Sequence, residues 1–392
     1  MDILLSTMKG HATVFDPFVG SGTVLTEAMR RGANFVGFDI NPLAVLASKV
    51  KSGPFYVTAL QDKADELVTR ISLDFGKKIE ADFPGMDKWF TREIAVELSK
   101  IRRAIRQESS LWARRFFWLT LAELVRQVSN SRTSTFKLHL RDPLDAPLDF
   151  KEVCRKYGAI LENNISSYIE QAAVLAEILT NGVYQPAVKI KMHNSAMFSR
   201  ISGLAKKIDI MVTSPPYGDN ATTVPYGQFS YLPLQWIDLC DIDKAISNDI
   251  LCSTHEIDAR SLGGSIRNAN EKAESLSEMS PSFWSIYKML WEKKSTQGHA
   301  KRMAAFTYDL AKSIEVTGSY VKQSGYAVWT LGNRNTGGYV VPLAEIVSEV
   351  FNFCGFADVA RIGRDIPYKR MPNKNSISAT MTEEVTIIMR KE

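Results

Sequence analysis

The sequence predicts an α/β fold: a mostly parallel sheet closed by an antiparallel strand, with one helical and one polar insertion. Three observations point there. "ATVFDPFVGSGTVLTEAMRRGANFVGFDINPLAVLASKV" runs strand, glycine loop, helix, strand, helix, which is a βαβ unit. "KKIDIMVTSPPYG" ends an apolar strand in two prolines and a tyrosine. "DVARIGRDI" and "EEVTIIMRK" read as a closing strand pair.

In chain order, "TVFD" is a short strand, "GTVLTEAMRRG" a helix with Gly32 as its stop, and "NFVGFD" the next strand. From about Lys51 to Pro186 the patterns turn helical, as in "TREIAVELSKIRRAIRQ" and "LWARRFFWLTLAELVRQVS", with "TFKLHL" the one strand candidate. This divides the chain into an α/β domain over 1–50 and 187–392 and a helical insertion over 51–186. "AVKIKM" is the third strand and "KIDIMVT" the fourth, expected beside the first. Residues 238–300 are polar and Ser-rich, and read as a second, partly flexible insertion with a possible role in target recognition. A helix over "AAFTYDLAKSIEVTGSYVKQSG", the strand "YAVWTLGN" and the helix "PLAEIVSEVFNFCGF" lead to the closing pair.

Composition excludes several classes. Of 392 residues, 45% are hydrophobic and 23% charged, as in ordinary globular chains. No apolar run approaches the ~18 residues that would mark a membrane span, and the N-terminus lacks a signal-peptide layout. A cytoplasmic protein is expected. Cys154, Cys240, Cys252 and Cys354 are widely spaced without a C-x-x-C, and the five histidines form no H-x-x-x-H, so neither disulfides nor a metal site is expected.

The net charge is +5, but Glu97 to Arg141 holds ten Lys/Arg against three acids, a local +7. Such a concentrated run suits a polyanion, and equally a solvated helical face.

"DPFVGSGT" (Asp16, Pro17, Phe18, Val19, Gly20, Ser21, Gly22, Thr23) lies between a strand and a helix. Glycines there let backbone approach a ligand. Seventeen residues after Gly22 comes Asp39, at the end of the next strand, followed by Ile40. An acid so placed accepts hydrogen bonds from ribose hydroxyls. The loop is F-x-G-x-G, neither the dinucleotide G-x-G-x-x-G nor a G-x-x-x-x-G-K-[ST] phosphate loop. A nucleoside ligand without a bound pyrophosphate fits, and S-adenosylmethionine is such a ligand.

"TSPPYG" falls at the carboxyl end of the fourth strand, the edge where open parallel sheets bind ligands. Pro215 and Pro216 fix φ and remove two N–H groups, leaving stiffly held carbonyl acceptors. Ser214 adds a hydroxyl. Acceptors gripping an exocyclic amino group would aim its lone pair at a methyl group, which is positioning with electrostatics. Tyr217 can stack on a base that has left its helix.

With both motifs in hand, the chain resembles the amino-methyltransferases of DNA, which carry F-x-G-x-G and [S/D/N]-P-P-[Y/F/W] on one sheet. The resemblance covers residues 12–50, 187–236 and 302–392, and implies a Rossmann-like methyltransferase sheet, S-adenosylmethionine as cofactor and double-stranded DNA as partner. Asp-Pro-Pro-Tyr is the form typical of adenine-N6 enzymes and Ser-Pro-Pro-Tyr of cytosine-N4 enzymes, so "TSPPY" favours cytosine N4 over adenine N6. The resemblance also implies a restriction–modification or related defence system, and association with the nucleoid through DNA. An RNA amino-methyltransferase and a catalytically idle subunit of a larger complex remain alternatives.

Three features depart from the family pattern. "MHNSA" puts Asn194 where an acid usually meets the cofactor's adenine amino group; its side-chain oxygen can still accept. Only twelve residues precede the first strand, where the family usually has an element closing over the cofactor's methionine end. That element is missing, relocated, or supplied by a partner chain. The long insertion before the third strand fits none of the family's usual motif orders. For the substrate side, Tyr226 and Asn333 are candidates for the base pocket. Arg132 and Lys137, in "NSRTSTFKLHLR", are candidates for phosphate contacts, as are Lys369, Arg370 and Lys374. Trp112, Phe116, Phe117 and Trp118 follow an amphipathic pattern and read as helix core.

Overall fold

The computed structural model describes residues 12–135, 137–142, 149–198, 207–218, 225–365 and 383–392. β1 (Thr13–Asp16), α1 (Thr23–Arg30) and β2 (Asn34–Asp39) form the first βαβ unit, and Gly32 after α1 sits at φ 64°, a left-handed turn that stops the helix. α2 (Pro42–Lys51) starts with proline at its first position behind Asn41, whose side chain accepts from Leu43 N at 3.0 Å.

The remaining sheet strands are β3 (Val188–Met192), β4 (Ile208–Thr213), β5 (Val321–Gly332), β6 (Phe356–Asp365) and β7 (Glu383–Lys391). They lie in the order β6-β7-β5-β4-β1-β2-β3. β7 runs antiparallel to both neighbours, and the other pairings are parallel. The fold is therefore the expected Rossmann-like sheet with a reversed closing strand. The chain moves outward through β1, β2 and β3, then returns to lay β4 beside β1. Strand order reverses there, so the carboxyl ends of β1 and β4 frame a crevice. Val14 and Phe15 in β1, and Ile208, Ile210 and Met211 in β4, are all buried. Strands covered on both faces need such apolar content, and the one interruption in β4, Asp209, accepts from Thr13 N at 2.8 Å.

Each face has its own helical layer. On one side α3 (Val57–Ser72), α4 (Arg92–Arg106), α5 (Leu111–Val128) and α6 (Glu152–Val174) bury Leu60, Leu98, Leu121 and Leu161 in one core with Val14, Phe35 and Ile210 of the sheet. Phe116, Phe117 and Trp118 are buried there. Residues 51–186 thus share the sheet's core. "TFKLHL" forms no sheet strand: Ser131 and Leu140 make one isolated bridge, and Phe136 lies outside the described residues.

The other face is covered by α8 (Ala269–Ser277), α9 (Pro281–Glu292), α10 (Gln297–Tyr320) and α11 (Leu343–Phe353). The "polar" insertion proves largely helical. Its serines sit mostly between or outside helices, while Leu276, Phe283, Tyr287 and Leu290 join the core with Phe15, Val36 and Met211. α7 (Tyr226–Leu234) follows the catalytic-motif loop. Two short hairpins, Leu179–Thr180 with Val183–Tyr184 and Arg334–Thr336 with Tyr339–Val341, turn on Asn181-Gly182 and Gly337-Gly338, all four at positive φ, a two-residue signal that sequence reasoning missed. No helix among the described residues is long and apolar enough to cross a membrane.

The basic run is not a free cationic face. Arg102 and Arg106 bind Asp238, at 3.0 and 2.6 Å. Arg114 grips Asp241 with two 2.8 Å bonds, and the Trp118 indole N–H donates to the same carboxylate at 2.8 Å. Arg115 donates to the Asp241 carbonyl, Arg103 pairs with Asp74, and Lys100 with Glu97. Apart from Glu97, these counter-acids (Asp74, Asp238 and Asp241) lie outside the 97–141 window, so a local count of charge missed them. Burial raises the Asp241 carboxyl, but Arg114 and Trp118 outweigh it and hold it below its ordinary value.

Candidate active site

Gly20 and Gly22 take φ of 51° and 85°, left-handed geometry that glycine adopts without strain. Gly22 is the residue before α1, and Thr23 is the first residue of that helix. From outside, Ser48 and Lys51 of α2 donate to the carbonyls of Gly20 and Ser21, at 3.3 and 2.6 Å. From inside, Asp39 Oδ2 accepts from Gly20 N at 2.9 Å, and Oδ1 from Asn41 N at 2.8 Å. One carboxylate therefore ties the glycine loop to the end of β2. Burial raises its pKa against these donors. A carboxylate has about four lone-pair sites, so acceptor capacity remains for ligand hydroxyls.

Asp16 serves differently. It is buried behind the loop, where Oδ1 accepts from Phe18 N at 3.0 Å and from Thr213 Oγ1 at 2.6 Å. Its pKa is pushed up to about 7, first by burial and to a lesser extent by Asp39. It joins the glycine loop to the last residue of β4 and does not line the cleft.

Ser214, Pro215, Pro216 and Tyr217 follow Thr213 directly and line the same cleft as Phe18, Gly20, Ser21, Asp39, Ile40 and Asn194. The cavity measures about 970 Å³. The Ser214 and Tyr217 hydroxyls lie 3.1 Å apart, and Tyr217 donates to Glu384 Oε1 at 3.1 Å. The Asn194 side-chain oxygen accepts from Ala196 N at 2.9 Å, so one of its two acceptor positions is occupied by a turn.

Tyr226 opens α7 and lines the cleft on the Asp39 side. Its carbonyl accepts from Asn41 Nδ2 at 3.3 Å, and partial burial, then the Asp39 charge, raises its hydroxyl pKa. Asn333, just past β5, is not among the lining residues, and its side-chain oxygen is buried without a hydrogen-bond partner among the described residues. Arg132 and Lys137 also lie off the cleft wall, on a loop docked against α7. Leu138 N donates to Gln228 Oε1 at 3.2 Å, and Arg126, 4.5 Å over the Phe229 ring, donates to the Thr135 carbonyl. Lys369, Arg370 and Lys374 lie outside the described residues.

Residues 2–49 match a family model described as DNA methylase. The type II methyltransferase M.MvaI of Kocuria varians is 32% identical over 396 aligned residues, spanning 96% of this chain and 84% of that protein. This chain belongs to the DNA amino-methyltransferase family. A second relative, the type II methyltransferase M.MjaII of Methanocaldococcus jannaschii, is 32% identical over 97 residues, 22% of this chain and 18% of that protein. A solved SAM-dependent methyltransferase structure from Methanosarcina mazei aligns with 100% of this chain and 97% of its own at 9% identity, with a TM-score of 0.30, too low to bear on the fold.

Within this cleft, sequence reasoning missed Asn41, Glu384 and the wall made by α5 and α6. Asn41 had a signal: an asparagine before proline at a helix start. Glu384 had none, because it lies 167 residues from Tyr217 on the closing strand. Leu119, Ala122, Glu123 and Arg126 of α5 and Asn164 of α6 also line the cleft.

Proposed function

We propose that this chain transfers a methyl group from S-adenosylmethionine to the exocyclic amino group of a flipped base in double-stranded DNA. The base is cytosine, methylated at N4, and the setting is a restriction–modification or related defence system. The observation that carries this reading is the shared cleft: the glycine loop with Asp39 at one end, and Ser214-Pro215-Pro216-Tyr217 at the other. At about 970 Å³ it is at the top of the usual range for a single ligand, which suits a nucleoside cofactor together with an extruded base.

The chain's residues fit the cofactor. Asp39 retains acceptor capacity for ribose hydroxyls, and Gly20, Ser21 and Phe18 offer backbone and an aromatic edge beside it. Ile40 and Asn194 line the cofactor end. When bound, S-adenosylmethionine supplies an electrophilic methyl on a positively charged sulfur. Leu119, Ala122, Glu123 and Arg126 of α5 and Asn164 of α6 close one side of the same cleft.

On the substrate side, the Ser214 hydroxyl and the Pro215 carbonyl accept the two amino hydrogens and turn the nitrogen lone pair toward the methyl. Pro216 keeps that carbonyl in place, and Tyr217 stacks on the base. This is catalysis by placement and preorganised acceptors, without a covalent enzyme intermediate. Tyr226 contributes to the wall between the two ligands. Arg132 and Lys137, on the loop docked to α7, meet phosphates.

The test uses the purified single chain and methyl-labelled S-adenosylmethionine, offered duplex DNA or tRNA. Label in DNA is expected. Label confined to tRNA would move the assignment to an RNA enzyme, and no label in either would favour the idle-subunit alternative.

A further inference from the structure

Glu384 lies on β7 opposite Gly332 of β5, and opposite Arg364 of β6 on the other side. Its two carboxylate oxygens have different partners. Oε2 takes a 2.8 Å bond from Arg364 Nη2, while Oε1 faces the Tyr217 hydroxyl at 3.1 Å. Beyond Tyr217, the Ser214 hydroxyl is another 3.1 Å on. All three side chains line the cleft.

Hydrogen counting sets the direction of this chain. A carboxylate can only accept, and a phenol has a single hydrogen. If Tyr217 gave that hydrogen to Ser214, two bare oxygens would face each other at Glu384. So Tyr217 donates to Glu384, and Ser214 donates to Tyr217. Both lone pairs of the Ser214 oxygen then remain available. Burial, with the Glu384 charge adding to it, raises the Tyr217 pKa, so the phenol keeps its hydrogen at neutral pH.

We infer that Glu384 is a positioning residue: acting through Tyr217, it orients the Ser214 hydroxyl so that its oxygen faces the target amino group purely as an acceptor. This rests on the amino-transfer reading above. Arg364 takes part from an exposed position by bonding the oxygen of Glu384 that does not face Tyr217.

Glu384→Gln is the informative change. The amide orientation that keeps the Arg364 bond turns its oxygen there and its NH₂ toward Tyr217. Tyr217 must then donate to Ser214, and one of the serine's acceptor positions is filled. Loss of about one hydrogen bond corresponds to an expected drop of roughly tenfold in the single-turnover methylation rate, with DNA affinity unchanged. Adding Arg364→Ala frees the amide to rotate, so the double variant should recover to near the rate of Arg364→Ala alone. In a Tyr217→Phe background, where the chain is cut, Glu384→Gln should have no further effect.

An unchanged rate in Glu384→Gln would overturn the inference, as would an equal loss with and without the Tyr217 hydroxyl. If Glu384→Gln unfolds, Tyr217→Phe carries the test, since it keeps the ring but removes the acceptor of the Ser214 hydrogen; an unchanged single-turnover rate in that variant overturns the inference. Wild-type protein that labels no base amino group would instead overturn the functional reading, and the inference with it.

Discussion

Thr213 Oγ1 donates a 2.6 Å hydrogen bond to Asp16 Oδ1, joining the carboxyl ends of β4 and β1 where the strand order reverses. The glycine loop and the catalytic-motif loop leave the sheet on either side of this bond. Their relative placement therefore depends on a buried carboxyl group whose pKa is pushed up to about 7.

That value gives a pH dependence with a definite sign. Asp16 holds its proton more tightly folded than unfolded, from an ordinary value of 3.8 to about 7. The folded state thus binds more protons across this window, and Asp16 lowers stability as pH rises through it, by roughly 4 kcal/mol at most. Asp16→Asn keeps an oxygen for Thr213 and Phe18 without the charge. The variant should unfold at a higher temperature than wild type at pH 8, with the gain shrinking toward pH 4. A difference independent of pH in thermal melts would count against the assignment.

Asp241 is the converse case. Arg114, Trp118 and the start of the second insertion meet at its carboxylate, which is held below its ordinary pKa. Removing one partner of a buried pair leaves the other uncompensated, so Asp241→Ala should lose roughly 3–5 kcal/mol in urea unfolding. A loss under 1 kcal/mol would mean that the network is solvated and dispensable.

Much of the fold was legible in the sequence because local signals agreed with the final packing. The first βαβ unit and the "TSPPY" strand each combined an apolar run with turn residues that fix a particular geometry, as Gly20, Gly22 and Gly32 do, and the closing pair rested on its strand pattern. What escaped was long-range. The partners of Arg102, Arg106 and Arg114 come from residues 238–241, and Glu384 reaches Tyr217 from the last strand. No window-based count brings such pairs together. The Ser-rich second insertion misled because its polar residues dominate composition, while Phe283, Tyr287 and Leu290 on α9 decide its packing.

Asp39 should dominate cofactor affinity. Asp39→Ala removes the acceptor for ribose hydroxyls and also releases the Gly20 and Asn41 amides. Calorimetric titration with S-adenosylmethionine should give a Kd raised about 10–100-fold, as hydrogen bonds to a charged group of ~1.5–3 kcal/mol would give. An unchanged Kd would place the nucleoside elsewhere.

DNA binding should separate exposed from internally paired cations. Arg132→Ala with Lys137→Ala should reduce the slope of log affinity against log salt by about 2, near 0.9 for each phosphate contact. Arg103→Ala, whose guanidinium is engaged with Asp74, should leave that slope unchanged. Equal slopes for wild type and the Arg132/Lys137 variant would remove that loop from the DNA interface.

The most direct test of the central claim is mass analysis of nucleosides from DNA methylated by the purified chain. The expected product is N4-methylcytosine, lost or strongly reduced in Ser214→Ala. N6-methyladenine in its place would contradict the base assignment drawn from Ser214, and 5-methylcytosine would contradict amino-group transfer at this cleft altogether.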